Sequence, residues 1–125
     1  MVFEFNNNTP IYLQIVEKIR MAIISGELKP GERLPSIRDL AVETKVNPNT
    51  MQKAMVELEE QGFIYTERTN GKFVTNDASL LLGFKKKHAY ELTLDFIKDM
   101  QSIGYTVEQA IDYIKEIGGN CECNY

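Results

Sequence analysis

The strongest constraint on this chain is a pair of helix-start signals set eleven residues apart, Ser36-Ile37-Arg38-Asp39 and Asn47-Pro48, with Asn70-Gly71 further on. Ser36 with Asp39 three positions later is a capping-box pattern, in which each side chain can satisfy the other's backbone amide. Asn47 before Pro48 puts a capping side chain ahead of a residue whose fixed φ suits the first helical position. A helix that starts at Ser36 must therefore stop, turn and give way to another within a few residues. The apolar residues agree. Ile37, Leu40 and Ala41 make one inner face, Val46 closes the turn, and Met51, Ala54, Met55 and Leu58 recur at helical spacing before Gly62.

Beyond Gly62, Phe63 to Arg68 and Lys72 to Thr75 read as strands on either side of Thr69-Asn70-Gly71. Asn-Gly is the strongest short hairpin signal, and both of its residues are expected at positive φ. Upstream, Thr9 is expected to cap a helix that begins with Pro10, buries Ile11, Ile15, Ile19, Ala22 and Ile23, and ends at Gly26. Lys29-Pro30-Gly31-Glu32 has the form of a type II turn, and Arg33-Leu34 is extended before Pro35. Downstream, Asp77 to Ser102 reads as a long helix with Leu81, Phe84, Ala89, Leu92, Phe96, Ile97 and Met100 on its apolar side. Gly104 breaks it. Thr106 and Gln109 form a second capping box, and Val107, Ala110, Ile111, Ile114 and Ile117 line a final helix that runs to Gly118-Gly119.

A helix, a helix-turn-helix and a hairpin in that order make a winged helix-turn-helix, a fold whose third helix enters the major groove of DNA. The expected fold is mainly α with a small β wing. Residues 1–76 form the winged helix-turn-helix DNA-binding domain, and residues 77–125 form a two-helix dimerisation hairpin with a short tail. Length agrees, since 125 residues hold one small domain and an appendage but not two large domains. With 43% hydrophobic and 26% charged residues the composition is that of a globular protein. No apolar run approaches the roughly 20 residues that cross a bilayer, and the opening residues lack a signal-peptide pattern, so a cytoplasmic protein without membrane contact is expected.

A net charge of −4 speaks mildly against nucleic acid. Residues 1–76 carry nine basic and ten acidic side chains, so the placement of the cations matters more than their sum. At about 100° per residue, the face of the third helix opposite its apolar stripe carries Asn49, Gln52, Lys53, Val56 and Glu60. Its N-terminal half offers Asn47, Asn49, Thr50, Gln52 and Lys53, groups suited to base edges and phosphates. Its C-terminal half offers Glu57, Glu59 and Glu60, which phosphates repel. The helix is therefore expected to dock by its N-terminal end, where its dipole is positive. Arg38, on the second helix, and Arg68 with Lys72, on either side of the wing tip, are expected to surround the same groove.

Pro10-Ile-Tyr-Leu-Gln-Ile, Ser25-Gly-Glu-Leu-Lys-Pro-Gly-Glu-Arg-Leu-Pro-Ser-Ile-Arg-Asp-Leu-Ala, Val46-Asn-Pro-Asn-Thr, Glu57-Leu-Glu-Glu-Gln-Gly-Phe-Ile and Gly71-Lys-Phe-Val closely resemble the GntR family of bacterial regulators. The short helical C-terminal region is similar to that of the YtrA-type branch, whose members lack a large effector domain and dimerise through these helices. The resemblance implies a sequence-specific regulator, with repression the expected sign, that binds a double-stranded inverted-repeat operator as a homodimer. It implies DNA contacts from Arg38, Asn47, Asn49, Thr50 and Gln52, and from Gly71 with its wing neighbours Asn70 and Lys72; Ser36, Lys53 and Arg68 complete the set expected to meet DNA. The chain departs from the family at Pro48 and Gln52, where many relatives carry arginine, and in a less basic wing. Those departures bear on affinity and base preference.

Leu92, Phe96, Met100, Ile111 and Ile114 are the expected dimerisation residues, because a two-helix hairpin has one internal seam and these helices carry more apolar side chains than it covers. No catalytic residue, cofactor or metal is expected. The single histidine, His88, lies in a lysine-flanked stretch suited to a helix surface or an interface, and Lys85-Lys86-Lys87 reads as a solvated face or a contact to flanking phosphates. Cys121 and Cys123 are expected to be reduced thiols in a frayed tail. A winged helix used for protein contacts is the alternative that the acidic balance leaves open; an enzyme finds no nucleophile, phosphate loop or acid-base pair to support it.

Overall fold

The computed structural model describes residues 3–120. Five helices and one hairpin follow the order α1 (Ile11–Ser25), α2 (Ile37–Thr44), α3 (Pro48–Glu60), β1 (Ile64–Glu67), β2 (Gly71–Val74), α4 (Ala78–Ser102) and α5 (Val107–Asn120). The chain divides into two compact units, one reaching Lys85 and the other starting at Lys86. Leu81 and Phe84 pack on the core of the first unit, which extends that unit past residue 76 into the opening turns of α4. Cys121 and Cys123 lie outside the described residues.

In the first unit, α1 and α3 bury their apolar stripes against each other. Ile15, Ile19, Met51, Met55 and Leu58 have at most 1% of their surface exposed, and Phe63, Ile64 and Val74 close the same core from the hairpin. Phe63 also meets the Phe84 ring, with centroids 4.5 Å apart. α2 adds Leu40 and Ala41. The turn between α2 and α3 is a helix-ending motif in which the Val46 and Lys45 amides donate to the Ala41 and Val42 carbonyls. It holds Lys45 at φ 58, a left-handed position that nothing in the sequence announces.

The first helix starts differently from expectation. Pro10, not Thr9, is the residue before the first turn, and no side chain caps it. Thr9 is one position too early to reach those amides; its carbonyl instead accepts from Gln14 Nε2 at 2.8 Å, and Gln14 also bonds both backbone groups of Asn6. At α2 the Ser36 hydroxyl accepts from the Asp39 amide at 3.1 Å, and only this half of the capping box forms among the described residues. Both halves form at α5, where Thr106 and Gln109 exchange bonds of 2.9 and 3.2 Å. Asp77 caps α4 through the Leu80 amide, and the helix runs through Gly83 without a break. α5 likewise continues through Gly118 and Gly119 to Asn120.

The wing also corrects a sequence expectation. Glu67 pairs with Gly71, leaving Arg68, Thr69 and Asn70 as the loop, one residue earlier than the expected Thr69-Asn70-Gly71. The Asn70 amide closes a turn on the Glu67 carbonyl at 3.3 Å, so Gly71 alone takes positive φ, at 100°. The Lys29–Glu32 turn is as expected, with Gly31 at φ 77 and the Glu32 amide on the Lys29 carbonyl at 3.0 Å. It delivers residues 31–34 to the free edge of β2, where Arg33 bridges Phe73.

In the second unit, Ala110 is the one buried hydrophobic residue among those described, at 2% exposure. Tyr105 and Tyr113 meet edge to face with their hydroxyls 3.1 Å apart. That hydrogen bond holds the Tyr113 phenol above its ordinary pKa. No described helix is long and apolar enough to cross a membrane.

The packing of α3 predicts that Leu58→Ala lowers unfolding free energy by about 2–5 kcal/mol, the range for a fully buried leucine. Val56→Ala, on the half-exposed side of the same helix, should cost under about 1 kcal/mol, because its side chain is already partly in water. Urea denaturation of both variants checks the rotation of α3 about its axis.

Candidate nucleic-acid interface

The buried stripe of α3 leaves Asn49, Gln52, Lys53, Val56, Glu59 and Glu60 facing away from the core, all of them exposed. Polar and cationic groups occupy the first two turns, while the acids follow at the other end. Asn47 caps the helix, its Oδ1 accepting from the Asn49 amide at 2.8 Å. This bond orients the Asn47 side chain and leaves its amide NH2 group to donate outward. Thr50 is half-buried, so its hydroxyl sits at the margin of the exposed face. Fixed donors at the positive end of a helix dipole suit an anionic partner.

Lys53 is held in a way the sequence did not reveal. Its ammonium lies 4.0 Å from the centroid of the Tyr12 ring on α1. A cation over an aromatic face loses little hydration at an exposed site, so the contact orients Lys53 and leaves its charge available. The signal lay in Tyr12, but only the packing of α1 on α3 brings the two side chains together. Arg38 is exposed on the first turn of α2, and Ser36, also exposed, accepts the Asp39 amide with its hydroxyl oxygen while its O–H proton stays available to donate.

The wing cations divide. Arg68 is exposed in the loop. Lys72 instead donates to the Thr66 hydroxyl at 2.8 Å, and Thr66 in turn donates to a Glu59 carboxylate oxygen. Lys72 is thus linked through Thr66 to the acidic end of α3. The cause is strand alternation: Val74 and Ile64 point into the core, so Lys72 and Thr66, two positions away, share their side of the sheet. Asn70 turns its amide to Glu67 at 3.0 Å. Arg33, which the sequence reading placed in an extended segment but not among the DNA contacts, takes the other face: a Cβ on Gly71 would lie 3.5 Å from its Nε and 3.6 Å from one Nη.

In the second unit, Phe96, Met100 and Ile114 come together, with Ile103, Tyr105, Tyr113 and Ile117, around an open apolar cleft of about 280 Å³. Leu92 and Ile111 do not line it and stand 58% and 44% exposed. Among the described residues, no three His, Cys, Asp or Glu side chains gather to hold a metal ion.

Residues 11–74 match the model of the bacterial regulatory proteins of the gntR family. Two Bacillus subtilis proteins are similar over nearly their whole length. The HTH-type transcriptional regulator YhcF is 39% identical, covering 90% of this chain and 93% of its own. The HTH-type transcriptional repressor YtrA is 36% identical, covering 91% and 88%. A GntR family transcriptional regulator from Listeria monocytogenes superposes with a TM-score of 0.80 at 39% identity, covering 90% of this chain and 98% of that one. The DNA-binding domain of AraR, solved in complex with an operator, superposes with a TM-score of 0.52 at 28% identity, covering 59% and 93%.

At φ 100 a β-branched side chain at position 71 meets backbone strain, while the Arg33 guanidinium lies at ordinary contact distance. Gly71→Val should cost about 1–3 kcal/mol in stability. Gly71→Asn should cost less, because asparagine tolerates left-handed backbone. Thermal unfolding of the pair checks the turn geometry.

Proposed function

The chain belongs to the GntR family of bacterial regulatory proteins and is a DNA-binding transcription regulator, and from that premise we propose that it represses transcription as a homodimer on an inverted-repeat operator. The N-terminal end of α3 enters the major groove. Asn47, Asn49, Thr50, Gln52 and Lys53 meet bases and phosphates there, Arg38 grips the backbone, and the wing with Arg68 and Gly71 meets the flanking groove. The observation that carries this docking is the polarity of the outer face of α3, with amides and Lys53 at the positive end and Glu59 and Glu60 at the other. The name of the YtrA relative supports repression, and the AraR complex with its operator supports duplex DNA as the partner.

Residues of α4 and α5 form the dimer in this reading. Leu92, Phe96, Ile111 and Ile114 are exposed at 37–58%, more apolar surface than an isolated helical pair leaves in water. A second copy covers it by a two-fold, self-complementary contact, the commonest oligomer solution. Dimerisation offsets the low positive charge. Two linked modules bind with an effective concentration that one module lacks. Their half-sites lie about one helical turn apart, roughly 34 Å.

Arg38→Ala and Lys53→Ala should each weaken binding to a selected operator duplex by about 1–3 kcal/mol, while Glu60→Gln is neutral or slightly strengthening. Equal affinity for wild type and both alanine variants in a low-salt gel shift would overturn the docking. Ile114→Glu should convert the dimer to a monomer in sedimentation and weaken operator binding at least about 100-fold. A wild-type monomer at micromolar concentration would sink the dimer.

A further inference from the structure

On the docking proposed above, on which this depends, we propose that Arg33 is a phosphate-binding residue of the wing and supplies the cation that Lys72 withholds. Residues 31–34 form a third strand on β2 in all but length: the Gly31 amide donates to Val74, the Leu34 amide to Lys72 and the Val74 amide to Glu32, at 2.8–2.9 Å. Leu34 is 5% exposed and points into the core. Arg33 must then point the opposite way, alongside its partner Phe73. That outer face also carries Gly71 and the Tyr65–Phe73 ring stack.

The Arg33 guanidinium lies beside Gly71 at the start of β2, next to the wing loop. Glu67, across from Gly71, is bonded to Asn70, and among the described residues the one ion pair is Arg20 with Glu17. The charge of Arg33 is thus not spent on the fold. A planar guanidinium held on a hydrogen-bonded strand is preorganised for a phosphate, which it can meet with two parallel donors. Lys72 has the opposite situation, tied through Thr66 to Glu59.

The test is the salt dependence of binding to a duplex selected by the wild-type dimer from a random-sequence pool, read by fluorescence anisotropy across a potassium chloride series. Each phosphate contact adds about 0.9 to the steepness of log K against log salt. Arg33→Gln keeps much of the apolar stem and removes the charge, so it should flatten the slope by about that amount, and Arg33→Lys should restore it. Lys72→Ala should leave the slope at its wild-type value, with thermal unfolding of all variants run in parallel. An unchanged slope in Arg33→Gln, with Arg38→Ala flattened, overturns the role of Arg33 alone. Unchanged slopes in both overturn the docking with it, and flattening by Lys72→Ala in place of Arg33→Gln reverses the assignment.

Discussion

Everything that faces outward in the first unit depends on one buried stripe. Met51, Ala54, Met55 and Leu58 are each at 0% exposure, and they seat α3 against α1 and the hairpin. Turning the helix by a single residue would swing its faces through about 100°, exposing methionine and leucine and burying Lys53 or Gln52. Exposing two such side chains costs several kcal/mol, comparable to the whole stability of a small domain. The rotation of α3 is therefore fixed by its core side, and the exposed row of Asn49, Gln52 and Lys53 follows from it.

The wing depends on the same core through a second constraint, strand alternation. Ile64, Val74 and Leu34 are buried from three adjacent segments, and each one assigns its neighbours to a face. Lys72 and Thr66 fall on the side of α3, and Arg33 and Phe73 fall on the other. A wing with few cations thereby separates them, one drawn to Glu59 and another laid over Gly71. Charge that is modest in total becomes directional because the backbone ladder leaves each side chain one choice.

The second unit follows a different logic. Its capping is complete at Thr106 and Gln109, yet among the described residues its interior amounts to Ala110, with Phe96, Met100 and Ile114 open around an apolar cleft. Local signals are enough to form these helices. They are not enough to bury them, which is why the homodimer belongs to the proposed function: two short helices have one seam, and side chains such as Leu92 and Ile111 fall outside it.

Read by itself, the sequence determined the order of elements, the turn at Gly31, the caps of α2, α3 and α5 and most core residues of α1 to α3, although in α1 Val16 is buried and Ile11, expected inside, is exposed. Those features rest on local rules: helical periodicity, a capping oxygen within reach of the next amides, a proline with fixed φ. It also determined which residues of α3 face outward, since a helix with one apolar side has only one other. Local rules misplaced the wing loop and the start of α1, where Asn70 bonds Glu67 and Gln14 reaches back to Asn6 and Thr9. The tertiary structure alone decided the partners of the cations. Tyr12 under Lys53, Glu59 behind Lys72 and Arg33 beside Gly71 are contacts between residues far apart in the chain or on different strands. Such contacts arise only after the core has fixed the facing of each element, because a long charged side chain has no local preference strong enough to choose its own neighbour.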